Sequence, residues 1–298
     1  MKLNVQNRSK TCLIISCAII VLALILTIFG RGINLGIDFE GGLSMEYNLG
    51  KTAVKGEVEG ILSEMGVASY TVTYQGSGES GAVIRIKDVA EDDIQNIQST
   101  FEEKLKEKYP EAVSVGDVNY VGPVAGATLV RNAVISVLLA AALMLVYIAI
   151  RFDLNSGLSA VFGLLHDVLI MLSFMVIFRS FIQMNSSFIA AALTIVGYSI
   201  NNTIVIFDRI RENAKKYPGM PRAEVTNISI RESLGRTICT TATTLITIVA
   251  LCILGVASIR EFALPIIIGI LSGVYSANMI NGYVWAFLEE RRLSRKAK

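Results

Sequence analysis

The sequence predicts an α-helical membrane protein with six transmembrane helices and one small ferredoxin-like α+β domain outside the cytoplasm. Three observations carry that fold class. The chain is 53% hydrophobic and only 17% charged over 298 residues, too apolar for a soluble domain. Its apolar residues gather in six runs long enough to cross a bilayer. Its charges are segregated: residues 32–126 hold 16 acidic against 7 basic residues, while the rest holds 9 acidic against 20 basic. Two environments are implied, not one averaged protein.

Taken in order, Lys2, Arg8 and Lys10 precede an uncharged run at 11–30. Positive-then-apolar is also the pattern of a signal peptide. The run is longer than a signal core, and no small-x-small cleavage site stands before Arg31, so a retained first span within 1–31 is expected. Residues 32–126 open on Gly36-Ile37-Asp38-Phe39-Glu40-Gly41-Gly42, whose glycines permit turns closed to other residues. Leu43, Met45, Tyr47 and Leu49 then alternate with polar residues, the period of a half-buried strand. A helix is expected at 54–65, then strands at 69–75 and 82–87 flanking a Gly/Ser loop. Ile94, Ile97, Phe101 and Leu105 give 91–108 helical spacing, and 113–121 returns to a strand. The order β-α-β-β-α-β is that of a ferredoxin-like domain.

Residues 127–288 hold the remaining spans, expected at 132–150, 158–178, 187–207, 237–256 and 262–288. The last contains Gly269 and Gly273 in small-xxx-small spacing, which allows close helix contact. Arg151-Phe152-Asp153 makes a short turn, a charged cytoplasmic loop is expected at 208–235, and 289–298 is a basic cytoplasmic tail. Orientation follows from Lys and Arg in the connections. With the N-terminus inside, the inner segments collect the basic residues, including Arg209, Arg211, Lys215, Lys216 and Arg222. The short outer connections hold only Arg179 and Arg260. Both termini are therefore expected in the cytoplasm and the acidic domain outside.

Three spans carry polar groups that a plain anchor does not need. His166 and Asp167 stand side by side within the third. Ser199, Asn202 and Thr203 share one narrow face of the fourth, at about 100° per residue. Arg236, Thr240, Thr243, Thr244 and Thr247 form a stripe on the fifth. The plain reading is packing glue, since Ser, Thr and Asn bond across membrane helices and threonine bonds back to its own helix. The functional reading is a polar seam for ions, because ionisable groups in hydrocarbon are costly and demand partners. Together the three faces are expected to meet between packed helices.

Several classes drop out. There is no G-x-x-x-x-G-K-[ST] loop for ATP. His166 is the only histidine, so no Cys/His zinc spacing and no catalytic triad can be drawn. The basic residues follow topology instead of forming an aromatic-laced patch for nucleic acid. No enzyme activity, cofactor or metal is expected, and the four cysteines all lie in apolar runs.

The motifs Gly36 to Gly42, Val121-Gly122-Pro123, Arg151-Phe152 and Leu165-His166-Asp167-Val168 point further. So do Gly197-Tyr198-Ser199-Ile200-Asn201 with Val205 to Glu212, Arg236-Thr237, and Gly269 to Ser276. Across nearly the whole chain this resembles the SecF-type subunits of the SecD/SecF family, within the RND superfamily. The resemblance implies an RND-type half in the bacterial inner membrane, paired with SecD. It implies assistance to late export through SecYEG, coupled to an ion gradient, H+ or Na+, with YajC/YidC-type accessory proteins as further partners. An autonomous RND-type exporter of small molecules or lipids is the alternative.

One departure matters. The family pattern is Ile-Asn-Asp-Thr where this chain has Asn202, and that carboxylate with the arginine matching Arg236 is the family's proton-carrying pair. Asparagine does not titrate. Three routes stay open: the path runs through the SecD half, Asp167 or Asp208 takes part, or coupling is altered. The candidate ion-path residues are thus Asn202, Arg236, Asp167, His166, Asp208, Ser199, Thr203 and Thr240.

Overall fold

The structure, a computed structural model, describes residues 5–54, 56–75, 79–116, 118–179, 182–255 and 257–296. Residues 76–78 of the expected Gly/Ser loop, and both extreme ends of the chain, lie outside these. The chain divides into two compact units, Leu35–Ala133 and the combination of Met1–Asn34 with Val134–Lys298. The first helix, α1 (Val5–Ile28), belongs to the latter.

The Leu35–Ala133 unit begins with one helical turn, α2 (Ile37–Glu40), followed by β1 (Gly42–Asn48), α3 (Glu57–Glu64), β2 (Tyr70–Gln75) and β3 (Gly81–Ile86). Then come α4 (Ile94–Lys108), β4 (Val113–Ser114) and β5 (Asn119–Val121). The sheet runs β2-β3-β1-β4, with β5 also on β1, and every pairing is antiparallel. Leu43 stands opposite Ile86 and Met45 opposite Ile84, so the alternating residues of β1 share one face with those of β3. That face packs on Ile61 and Leu62 of α3 and Phe101 and Leu105 of α4. The strand expected at 113–121 is two pieces, because Gly116 takes a positive φ of 88° between them. Gly42 has φ 131°, and a Cβ there would run into the Ile86 carbonyl, so only glycine fits where α2 hands over to β1.

Among the described residues six helices are long and apolar enough to cross a membrane; one of them, residues 123–151, starts in the first unit and the others lie in the second. After α1 come α5 (Pro123–Arg151), α6 (Leu154–Ile177), α7 (Ser186–Lys216), α8 (Arg222–Leu254) and α9 (Ala257–Ser276). A π-helical turn, Ala277–Asn281, joins α9 to α10 (Gly282–Lys296), so the sixth span is continuous but not uniformly α-helical. Proline stands at the first position of α5, where its missing N–H has no intrahelical partner to lose. The apolar windows of α6, α7 and the sixth span are 56%, 50% and 61% buried, against 11%, 6% and 11% for α1, α5 and α8. The first three therefore form the inside of the bundle.

Residues 208–235 are not the loop expected from their charge. α7 continues to Lys216 and α8 starts at Arg222, leaving only residues 217–221 as the connection. Ile210, Asn213, Val225, Ser229 and Ile230 continue the buried stripes at helical spacing, and the charges lie on the outer faces. Arg209 bridges Glu212 at 2.5 Å and Glu232 at 2.7 Å there, while Asn213 Nδ2 donates to Ser229 and Glu232 at 3.0 and 2.8 Å.

Candidate functional site

The inside of the bundle depends on small residues. A Cβ on Gly269 of α9 would collide with the Ile195 side chain of α7, and one on Gly273 would sit 3.2 Å from Ser199 Cα. This is the close contact that the small-xxx-small spacing permits. It brings the backbones of α7 and α9 near enough for serine, a short side chain, to reach α6.

At that contact lies Asp167 of α6, fully buried. Its Oδ1 accepts from His166 Nδ1 at 3.0 Å and Ser272 Oγ at 2.7 Å. Its Oδ2 accepts from Ser199 Oγ at 2.5 Å and Ser276 Oγ at 2.8 Å. A carboxylate only accepts, at about four lone-pair positions. All four are met, from α6, α7 and α9. A buried anion is otherwise expensive, and four charge-assisted bonds offset that desolvation.

His166 extends the network to α1. With Nδ1–H directed at Asp167, Nε2 lies 2.7 Å from Ser16 Oγ. A hydroxyl both donates and accepts, so His166 can take a proton on Nε2 and keep both partners. Tyr275 lies beside the imidazole, ring centroids 6.0 Å apart, and donates to the Cys12 carbonyl at 2.6 Å. Ser16, Ser272 and Tyr275 also wall a cavity of about 290 Å³ between α1, α6 and α9, otherwise lined by apolar side chains.

One turn further along α7, Thr203 donates to the Ser199 carbonyl at 3.1 Å and accepts from Asn281 Nδ2 at 2.9 Å. Asn281 comes from the π turn and lies against Gly163, where no side chain would fit. Asn202 is buried with its Nδ2 unpartnered, as are the Oδ1 atoms of Asn278 and Asn281.

The structure thus brings together His166, Asp167, Ser199 and Thr203, and buries Asn202 on the same helix. It does not bring in Arg236, Thr240 or Asp208. Arg236 and Thr240 are exposed on α8, and the hydroxyls of Thr240, Thr243, Thr244 and Thr247 bond back to carbonyls of α8 at 2.8–3.1 Å. The side of α8 that packs inward presents Thr237 and Thr241 instead, with Tyr198 donating to Thr241 at 3.2 Å. Helical spacing identifies a face but not which way it points, so the expected meeting of three polar faces is corrected: α9, not α8, completes the seam. Asp208 is exposed, 3.5 Å from Arg151. Sequence reasoning missed Ser16, Ser272, Tyr275, Ser276 and Asn281. For two of these a signal exists, because Gly269, Ser272, Gly273 and Ser276 make one small-residue face at i, i+3, i+4 and i+7.

Residues 100–291 match the family model described as protein export membrane protein SecD/SecF, C-terminal, and residues 27–53 match the SecD/SecF GG motif. That motif contains Gly41-Gly42, the second of which is the glycine wedged against Ile86. The chain is similar to protein translocase subunit SecF of Rickettsia felis, 35% identical over 263 residues, 88% of this chain and 84% of the relative. It is 37% identical over 303 residues to the subunit of the same name from Rhodothermus marinus, covering 98% and 94%. Among solved structures it resembles SecDF from Thermus thermophilus, a translocon-associated membrane protein, with TM-score 0.85 and 31% identity. A super-membrane-facing form of SecDF gives TM-score 0.69 at 32% identity. The match covers 97% and 100% of this chain but only 39% and 40% of those chains, so this chain spans about two fifths of their length.

Proposed function

Because this chain belongs to the SecD/SecF family of protein export membrane proteins, we propose that it is an accessory subunit of Sec-dependent export. In this reading it sits as a multi-pass protein in the bacterial inner membrane, both termini cytoplasmic, and pairs with a SecD-type partner. It assists late stages of translocation through SecYEG, driven by an ion gradient. The solved chains named SecDF, of which this chain matches about two fifths, support a SecD-type portion as the partner of this one. The exposed polar face of α8 supports the place where that half docks, since polar side chains are not left facing lipid.

The observation that carries the gradient-driven reading is the saturation of Asp167 by four donors from three helices. Ionised, the carboxylate ties α6 to both α7 and α9. Protonated, it brings a donor of its own into a ring of donors, and at least one serine has to turn and accept. Each protonation therefore exchanges a charge-assisted bond to the carboxylate for a weaker neutral one, and each release restores it. A converging set of donors suits a proton better than Na+, which seeks lone pairs. Asn202 has no proton to exchange, whereas Asp167 and His166 are buried groups that can carry the charge change.

The test is export of a model secretory protein from cells depleted of their own copy, with the membrane gradient varied. Asp167→Asn, present in the membrane at the wild-type level, is expected to remove the gradient-dependent part of export. Unchanged gradient dependence in that variant would overturn the reading.

A further inference from the structure

The end of the bundle that the basic residues place on the cytoplasmic side holds a cavity unrelated to the Asp167 seam. It lies between the α5–α6 turn, the last turns of α7, the start of α8, and α10, and measures about 430 Å³. That is within the range of ligand pockets, roughly 300–1,000 Å³. Four cations line it: Arg211, Lys215, Arg222 and Arg292. Its two carboxylates are already engaged. Glu289 accepts from Arg292 at 2.6 Å and from Asn155 at 2.7 Å, and Asp153 accepts from Ser156. Arg211 reaches only a backbone carbonyl, at 3.4 Å. Among the described residues, Arg211, Lys215 and Arg222 have no carboxylate in salt-bridge range.

A second, independent observation comes from the same lining residues. Trp285 lines the cavity and is only 6% exposed, yet its Nε1 has no acceptor. Nη1 of Arg222 is likewise buried and unpartnered in the same wall. Buried donors without acceptors are costly, so two of them among the residues that line one cavity, beside uncompensated cations, mark a place for an anion.

We propose that this cavity binds an anionic phosphate group. Guanidinium forks and an ammonium match phosphate oxygens, and the indole N–H adds a neutral donor. The aromatic and aliphatic part of the wall, Phe152, Phe207 and Ile210, suits the glycerol and acyl portion of a lipid whose headgroup is held by the basic part. Free phosphate shares the headgroup chemistry, and the experiment separates the two sources.

Trp285 is the only tryptophan in the chain, so its emission reports on the cavity directly. The delipidated full chain in neutral detergent is titrated with mixed micelles containing phosphatidylglycerol, then with phosphatidylcholine, and separately with inorganic phosphate against chloride at equal ionic strength. A saturable change in emission with phosphatidylglycerol is expected, and binding about tenfold weaker with phosphatidylcholine, whose phosphate is the same but whose choline cation is repelled by the four lining cations. A response to phosphatidylglycerol alone assigns the site to lipid; a response to inorganic phosphate as well shows that the phosphate suffices. Lys215→Gln and Arg222→Gln are each expected to weaken binding about tenfold, Lys215 being exposed and harmless to folding. Arg209→Gln, a nearby cation paired with Glu212 and Glu232 outside the cavity, is expected to leave it unchanged. No saturable response to either source overturns the proposal. So does an equal loss in Arg209→Gln, which would make the binding diffuse surface charge.

Discussion

Ser199 of α7 donates to Asp167 of α6 across 2.5 Å, the shortest of the four bonds that hold the buried carboxylate. The bond crosses between helices, so it links the charge state of α6 to the position of α7. Its loss should differ from loss of a serine that serves only its own helix. Ser199→Ala is expected to lower stability in detergent by about 1–3 kcal/mol, the penalty of an acceptor left short of a donor. Ser159, equally buried but donating to the Asn155 carbonyl of its own helix at 2.7 Å, is the comparison. Ser159→Ala should cost less than about 1 kcal/mol. Thermal unfolding of the two variants side by side decides it.

The same contact rests on glycine. A side chain at Gly269 meets Ile195, whereas one at Gly197 of α7 meets nothing within 4 Å. Gly269→Val should therefore destabilise by about 1–3 kcal/mol through overpacking. Gly197→Ala should be neutral or stabilising by about 0.5–1 kcal/mol, since alanine loses less backbone freedom in a helix. Equal effects at the two positions would mean that α7 and α9 are not held at close range.

The spans were legible because twenty-residue apolar runs have few other uses, and His166-Asp167 stood out because adjacent ionisable groups there are rare. Ser199 and Thr203 were found on a polar face and lie at the seam. Ser272 and Ser276 were not, because serine in an apolar helix carries no charge and only the small-residue spacing with Gly269 and Gly273 marks their face. The stripe at Arg236 and Thr240 was read as inward because periodicity lacks a sign: a face turned to a partner and one turned to the protein's own core look alike. The charge of 208–235 predicts a loop, whereas Ile210, Val225 and Ile230 keep the helical register. The π turn at Ala277–Asn281 leaves no compositional mark at all.

Burial, and then the neighbouring Glu102 carboxylate, pushes the Tyr47 phenol above its ordinary range; its hydroxyl donates to Glu102 at 3.1 Å. A group whose folded pKa is raised stabilises fully below the unfolded value, near 10 for tyrosine, and loses that contribution as pH rises beyond it. The fragment 35–133, which holds its own core, should melt at a constant temperature from about pH 7 to 9 and progressively lower above about pH 10. Tyr47→Phe keeps the ring against Phe101 and should flatten that alkaline slope. Circular dichroism melts across the pH series measure both, and an unaltered slope in the variant would place the titration elsewhere.

If α8 docks against a SecD-type partner, exposure on α8 should predict proximity. Thr240 is exposed and Thr241, one residue on, is buried within the bundle. In a cysteine-free background with the partner carrying single cysteines along its spans, Thr240→Cys should cross-link in membranes and Thr241→Cys should not. Cross-linking from Thr241→Cys alone would mean that the outer face of α8 meets lipid.

Asn202 allows the sharpest test, because it places an amide on the same helical face as Ser199 and Thr203, buried and with its Nδ2 unpartnered. Asn202→Asp removes that orphan donor and adds a carboxylate one turn from Ser199, the donor to Asp167. A carboxylate there gives α7 a group that can exchange a proton, which asparagine lacks. Arg236 is exposed on α8 without a carboxylate in range among the described residues. Asn202→Asp is therefore expected to strengthen the gradient dependence of export, and Arg236→Ala to impair export with either residue at 202. The combined variants, assayed with the gradient dissipated stepwise, separate the two effects. Normal export by Arg236→Ala, together with no change in Asn202→Asp, would reduce the polar groups of α7 and α8 to packing contacts and leave coupling to Asp167 and His166.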